Sequence, residues 1–154
     1  MEPNPRVIET LNGLLKAELT SINQYMVHAE MAEDWGYETY GKTEERTAID
    51  EMKHAEKLIA RILFLGGKPV VTQMDEIRIG KDLPSMLAND RVLEQAGIDG
   101  YNQGIKVMTE EKDNGTKQLL ESILEEEENH IDFFEEQLDQ IDQMGLPYYL
   151  ITIK

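Results

Sequence analysis

The chain has 154 residues, no cysteine, and 31 acidic residues against 15 basic ones, which gives a formal net charge of -16. The length fits a single domain, predicted over residues 1–154, that is large enough to bury a core. The absence of cysteine excludes disulfides, thiolate metal sites and cysteine nucleophiles, and the acidity argues against nucleic acids and anionic membranes as partners. No apolar run approaches the ~20 residues of a membrane span, and "MEPNPRVIE" lacks the features of a secretion signal, so we expect a cytoplasmic protein.

Two long helices are predicted in the first half of the chain, where good helix formers dominate and no strand alternation occurs. The first begins near Asn4, with Pro5 suited to the first turn, and ends at residues 35–36. The second covers residues 38–65 and is stopped by "GGKP", a glycine followed by a proline.

Two more helices are predicted in the second half. The third opens at "DLPSML", with Asp82 as its N-cap, and ends near residues 112–115. The fourth covers about Thr116 to residues 144–145, and the tail "LPYYLITIK" is expected to add one more turn or a small helix.

The lengths of the connections predict the topology. The links near residues 36 and 114 are short, so each half forms an antiparallel helical hairpin. The segment 66–82 is much longer: about fifteen extended residues reach ~50 Å, enough to run the length of a bundle of ~42 Å helices. We therefore predict an all-α, ferritin-like four-helix bundle with one long crossover.

Each apolar stripe is interrupted by an acid, as in the third helix, where Leu87, Glu94, Tyr101 and Met108 follow at seven-residue spacing. Burying four carboxylates together is prohibitive without compensation, and no Lys or Arg lies in the stripes at this level. Two histidines do, each three residues after a glutamate and thus facing the same space. The inward-facing set is Glu18, Glu51, His54, Glu94, Glu127 and His130.

Four carboxylates and two imidazoles suit a pair of divalent metal ions, because the charges balance and carboxylates can bridge two ions. Mixed oxygen and nitrogen ligands favour iron or manganese over calcium or copper. One Glu-x-x-His is common by chance in Glu-rich helices, but two on separate helices plus two isolated core acids match the di-iron arrangement of ferritin-like bundles.

Met52 is predicted to face away from this metal pair, since about 160° of helix rotation separates it from His54. It belongs to a second apolar stripe of helix two, and helix one has further apolar residues beside its core line. These residues are Ile49, Met52, Ile59, Leu63, Leu15, Leu19 and Met26. A twofold dimer interface is the expected use of this surface. Met52 is either a gap filler there or, paired with its copy, a ligand to a haem iron.

His28 and the glutamate run at residues 125–128 are predicted to have structural roles and not to bind metal. His28 has no acidic partner at comparable spacing and is predicted to lie at the surface or in an interface. The glutamate run at residues 125–128 is predicted to be solvated, with only Glu127 pointing inward.

The sequence resembles bacterioferritin over essentially its whole length, through "VIETLNGLLKAELTSINQY", "IDEMKHAEKLIARILFLGGKP", "RIGKDL" and "EEEENHIDFFEEQLDQIDQMGL". The resemblance implies a di-iron ferroxidase centre formed by the six inward-facing residues. It implies Met52 as axial ligand of haem b, one from each subunit of a dimer, and a hollow 24-subunit shell holding ferric mineral. It also implies that Tyr25 lies close to the iron pair and that Trp35 assists electron transfer.

The expected function is therefore iron storage and detoxification by a ferroxidase. Fe²⁺ would be oxidised with O₂ or H₂O₂ and stored as mineral, and haem would aid iron release with electrons from a ferredoxin or reductase. One departure from the family concerns an inner-surface iron site that pairs a His with Asp50, because this chain has Arg46 at the histidine position and arginine does not ligate iron. The tail "PYYLITIK" is also not closely matched.

Three alternatives remain. A rubrerythrin-like peroxidase is disfavoured because such enzymes carry a cysteine-rich module. A DNA-protecting mini-ferritin is disfavoured because its ligands lie at a dimer interface and not within one bundle. The third is a storage or scaffold subunit whose site holds zinc or is inactive.

Overall fold

A computed structural model describes residues 2–154, and its described residues form five helices and no strand. The helices are α1 (Pro5–Asp34), α2 (Glu38–Phe64), α3 (Leu83–Glu110), α4 (Asn114–Met144) and α5 (Leu146–Thr152). The predicted all-α bundle with a short C-terminal helix is confirmed. Over the same residues, no helix combines the length and apolar character needed to cross a membrane.

The helix ends follow from local capping. Asn4 caps α1 by accepting from the backbone N–H of Arg6, and Asp82 forms a reciprocal capping box with Ser85 at the start of α3. Helix α4 begins two residues before the predicted Thr116, because the Asp113 side chain accepts from the Thr116 N–H and takes the capping position. The sequence pattern instead predicts that residues 114–115 belong to the turn before α4.

The crossover 66–82 runs alongside α1, as its length predicts. Its backbone N–H groups at Val70, Asp75, Arg78 and Gly80 donate in order to Asn12, Thr20, Gln24 and His28. The order shows that the crossover runs parallel to α1. Helix α3 therefore returns antiparallel to α1, with Arg6 at one end of the bundle paired to Glu110.

Two apolar clusters fill the bundle, one on either side of a charged layer. One contains Leu11, Leu58, Met108 and Leu120, and the other contains Tyr40, Leu87, Phe134 and Tyr149. On every long helix, one buried glutamate lies in the sequence between the residues of the two clusters. The charged layer is thus enclosed by hydrophobic core along the bundle axis.

Candidate metal centre

The structure brings all six inward-facing residues together in the charged layer. One ligand atom from each of Glu18, Glu51, His54 and Glu127 lies within 4.8 Å of the others, and the same holds for Glu51, Glu94, Glu127 and His130. Glu51 and Glu127 belong to both groups. The six residues, named here the six-residue cluster, are all buried, with 9% or less of each exposed.

Each residue of the six-residue cluster contributes one buried atom that finds no hydrogen-bond partner among residues 2–154. These atoms are Glu18 Oε2, Glu51 Oε1, His54 Nδ1, Glu94 Oε2, Glu127 Oε1 and His130 Nδ1. The imidazole nitrogens are close to carboxylates, with His54 Nδ1 2.7 Å from Glu127 Oε1 and His130 Nδ1 2.8 Å from Glu51 Oε1. These short distances lack hydrogen-bond geometry, so the atoms converge on the same space without satisfying one another.

The two imidazoles are oriented by acids outside the cluster. The Nε2 of His54 is hydrogen-bonded to Glu126, and the Nε2 of His130 lies 3.1 Å from Asp50 Oδ2. Each acid immediately precedes a cluster glutamate on one helix and reaches the histidine of the other helix. A carboxylate that accepts from one ring nitrogen directs the other nitrogen toward a metal.

Burial and mutual repulsion shift the pKa values of the four cluster glutamates. Burial, followed by repulsion from Glu127, raises the pKa of Glu18, and burial with repulsion from Glu18 raises the pKa of Glu51 well above its ordinary value. Burial also raises the pKa of Glu94 well above normal. Burial would raise the pKa of Glu127 too, but its close contacts with Glu94 and both imidazoles lower it.

Contacts with the buried carboxylates raise the pKa values of both cluster histidines. Burial alone would lower the pKa of His54, but its contacts with Glu127 and Glu18 raise it to about 10. Burial is likewise outweighed at His130, where contacts with Glu127 and Glu94 raise the pKa to about 11. Without a metal, the cluster therefore balances its carboxylates with bound protons.

Two tyrosines donate to the cluster. Tyr25 Oη lies 2.7 Å from Glu94 Oε1, and Tyr101 Oη lies 2.5 Å from Glu18 Oε1. Burial, followed by the neighbouring Glu94 and Glu18 charges respectively, raises the pKa of each phenol well above 10. Both phenols therefore stay protonated and act as donors.

The surface prediction for His28 is wrong, since this side chain is 0% exposed. It packs with Glu44 of α2 and Asp90 of α3 in a second buried group, named here the His28 cluster. Its Nδ1 lies 2.8 Å from Asp90 Oδ1, and its Nε2 accepts from the N–H of Gly80. The partners come from other helices and from the crossover, which spacing within α1 cannot reveal.

Met52 lies on the outside of the subunit, 44% exposed, and Ile49 and Leu63 of the same helix are exposed too. This agrees with the predicted second apolar stripe, but Leu15, assigned to the same surface, is 0% exposed and belongs to the core. Arg46 is exposed and donates to Thr43 Oγ1 at 3.1 Å. Asp50 instead pairs with His130, so the pairing with a residue at position 46 is not formed.

Three contributions were missed in the sequence. Glu126, half exposed as predicted for the glutamate run, also bonds to His54. The repeated pattern "DEMKH" and "EEENH" carried this signal, because an acid precedes the Glu of each Glu-x-x-His. Tyr101 was recognised only as a stripe residue, and the partnership of Glu44 with Asp90 left no local pattern.

Comparisons with known proteins match one family over most of the chain. The family described as Ferritin-like domain matches residues 8–144. The chain is 41% identical to a bacterioferritin of Streptomyces coelicolor, covering 99% of this chain and 92% of the relative. It is 39% identical to a bacterioferritin of Rhodobacter capsulatus, with 94% and 90% covered, and 36% identical to one of Mycolicibacterium paratuberculosis, with 97% and 94% covered.

Proposed function

Since the chain belongs to the bacterioferritin family, we propose that it is an iron-storage protein whose six-residue cluster is a di-iron ferroxidase centre. The observation that carries the proposal is the set of six converging buried atoms, one from each residue, that lack hydrogen-bond partners among the described residues. Buried polar atoms without partners are costly. Two metal ions would satisfy all six at once.

The donor set fits iron. Four carboxylates and two neutral imidazoles neutralise two Fe²⁺ ions, and this mixture of hard oxygen and imidazole nitrogen suits iron or manganese. Because Glu51 and Glu127 belong to both groups of potential ligands, they are the proposed bridges. Glu18 with His54 and Glu94 with His130 are the proposed terminal ligands of the two ions.

Fe²⁺ is the substrate of this reaction. Two Fe²⁺, one O₂ and two protons give two Fe³⁺ and H₂O₂; with H₂O₂ as oxidant, two Fe²⁺, one H₂O₂ and two protons give two Fe³⁺ and two waters. The chain holds the two ions close together, so that one oxidant takes one electron from each. Asp50 and Glu126 fix the ring orientation of His130 and His54, and the apolar clusters on either side keep bulk water away.

The storage role extends to the assembled protein. We propose twofold dimers that build a 24-subunit shell in the cytoplasm, with ferric mineral inside. The net charge of -16 supports an acidic inner surface and pores that concentrate Fe²⁺. Iron release would reverse the redox step with electrons from a ferredoxin or reductase.

Replacing a proposed terminal ligand tests the ferroxidase centre. Glu18→Ala or His130→Ala should slow rapid Fe²⁺ oxidation in air by at least the roughly 10–100-fold that loss of an outer-shell partner costs. The stopped-flow absorbance of Fe³⁺ measures the rate, and light scattering checks that the particle still assembles. Glu125→Ala, at an exposed position of α4, the helix that carries His130, is the matched control. Wild-type oxidation rates in both ligand variants would refute the centre, and no rapid oxidation in the wild type would favour the inactive-scaffold alternative.

A haem site at Met52 is the second part of the proposal. An exposed thioether on an exposed apolar stripe fits a haem enclosed between two subunits, with one sulfur from each. When bound, haem b would supply a one-electron carrier between the outside of the shell and the mineral. The residue that would hold it is Met52, and Ile49 and Leu63 would provide apolar contact.

Met52→Leu should abolish ligation of the haem iron by this residue, because leucine has no donor atom, and Met52→His should shift the haem absorption bands. The visible spectrum of the protein reconstituted with haem b measures both. Met26→Leu, at a comparably exposed methionine of α1, is the control. A haem spectrum that is the same in all variants would remove the assignment.

A further inference from the structure

The two tyrosines that touch the six-residue cluster are related by a repeat in the chain. Tyr25 follows Glu18 by seven residues on α1, and Tyr101 follows Glu94 by seven residues on α3. Seven residues advance a helix by two turns, ~10.5 Å, and return to the same face. Because α1 and α3 are antiparallel, each tyrosine reaches the glutamate of the opposite helix: Tyr25 reaches Glu94, and Tyr101 reaches Glu18.

Each phenol occupies one oxygen of its carboxylate and leaves the other free. Tyr101 donates to Glu18 Oε1, and the atom of Glu18 without a partner among residues 2–154 is Oε2. Tyr25 donates to Glu94 Oε1, and Glu94 Oε2 is the atom without a partner. The two proposed terminal carboxylates are thus oriented in the same way, each with one oxygen held by a phenol and the other, Oε2, without a partner among the described residues.

Close packing of α3 maintains this contact. A Cβ atom at Gly104 would lie 3.1 Å from Leu120 and 3.3 Å from Leu14, so a larger residue would force these side chains to shift. The Tyr101 ring is 1% exposed, within the apolar cluster that contains Leu120. The hydroxyl is held against Glu18 by the surrounding core and has no alternative partner in water.

On the basis of the proposed function, we infer that Tyr101 is a positioning residue that holds Glu18 as a one-oxygen ligand of the metal ion shared with His54. Tyr25 is its counterpart at the ion shared with His130. The two phenols make the two halves of the centre equivalent in their terminal ligation. Loss of Tyr101 frees Glu18 Oε1 and lets the carboxylate rotate, which weakens metal binding in that half alone.

Co²⁺ titration in single-half backgrounds tests the inference without measuring oxidation. His130→Ala leaves the Glu18–His54 half, and His54→Ala leaves the Glu94–His130 half. Tyr101→Phe should weaken Co²⁺ binding about tenfold in the His130→Ala background, the lower end for loss of an outer-shell partner, and should leave the His54→Ala background unchanged. Tyr25→Phe should show the reverse pattern. The visible absorption of bound Co²⁺ reports both affinity and ligand geometry.

The controls separate positioning from packing. Tyr149→Phe removes the hydroxyl of another buried tyrosine, one that donates to Gln137 at 2.7 Å, and should leave both Co²⁺ affinities unchanged. Equal weakening of both halves by Tyr101→Phe, together with a lower melting temperature, would overturn the inference in favour of a packing role. Unchanged binding in the His130→Ala background would overturn it while leaving the proposed function intact. Absence of Co²⁺ binding to the wild-type cluster would overturn both.

Discussion

The six-residue cluster and the His28 cluster are both groups of acids and imidazole inside one bundle, yet their hydrogen bonding differs. In the six-residue cluster each imidazole has one nitrogen bonded to an outer acid and the other without a partner among the described residues. In the His28 cluster, the single imidazole uses both nitrogens, one on Asp90 and one on the Gly80 N–H. Its nitrogens are therefore not available to a metal.

The carboxyl groups of the His28 cluster keep buried oxygens without a hydrogen-bond partner among residues 2–154, namely both oxygens of Glu44 and Oδ2 of Asp90. Burial, followed by the nearby Asp90 charge, raises the pKa of Glu44 well above normal, and burial raises the pKa of Asp90 to about 7. Glu44 and Asp90 each offer an oxygen within 4.8 Å of the other, so a proton on one carboxyl lowers their repulsion, and Asp90 Oδ1 accepts from Gln24 at 2.8 Å. Burial of carboxylates alone therefore does not define a metal site; free imidazole nitrogens and shared carboxylates distinguish the six-residue cluster.

The number of bound metal ions should show the largest difference between the six-residue cluster and the His28 cluster. The wild type is expected to bind two Co²⁺ per chain at the cluster, since its residues form two groups that share Glu51 and Glu127. Glu127→Ala should lose both ions, Glu18→Ala should lose one, and Glu44→Gln should lose neither. Equilibrium dialysis at moderate salt, with metal analysis, measures the bound ions. If Glu44→Gln lowers the stoichiometry by one, the His28 cluster is itself a metal site and the distinction is wrong.

The release of protons when metal binds to the six-residue cluster should be the next largest effect. The raised pKa values of Glu51, Glu94 and both cluster histidines mean that metal must displace protons. Affinity should therefore rise with pH between 6 and 8, about tenfold per pH unit for each proton released. Calorimetric Co²⁺ titration in two buffers of different ionisation enthalpy counts these protons. Equal heats in the two buffers would contradict the protonated state of the metal-free cluster.

The sequence predicts the features that depend on one helix at a time, and it does not predict contacts that depend on how the helices are arranged. The helices and the six inward residues follow from periodicity, because each residue lies on an apolar stripe of its own helix, and the crossover follows from the length of segment 66–82. The reciprocal contacts, Tyr101 to Glu18 and Glu126 to His54, depend on which helices are neighbours and in which direction they run. The His28 cluster depends on three helices and the crossover meeting at one point, so no single stripe contains it.

The effect of Glu44 on stability is the smallest expected difference and tests the His28 cluster directly. A buried carboxyl with a folded-state pKa above 4.5 binds its proton more tightly in the native than in the unfolded state. Stability is then lost as pH rises above the unfolded value, at about 1.4 kcal/mol per pH unit for keeping that proton. Glu44→Gln removes the titrating carboxyl, so it should stabilise the protein more at pH 8 than at pH 5. The gain should be about 1.4 kcal/mol or more, roughly 3 °C per kcal/mol in calorimetric melting temperature. Glu45→Gln, the exposed neighbour, should show no such pH-dependent gain, and an equal gain in both variants would mean that net charge, not the buried proton, is responsible.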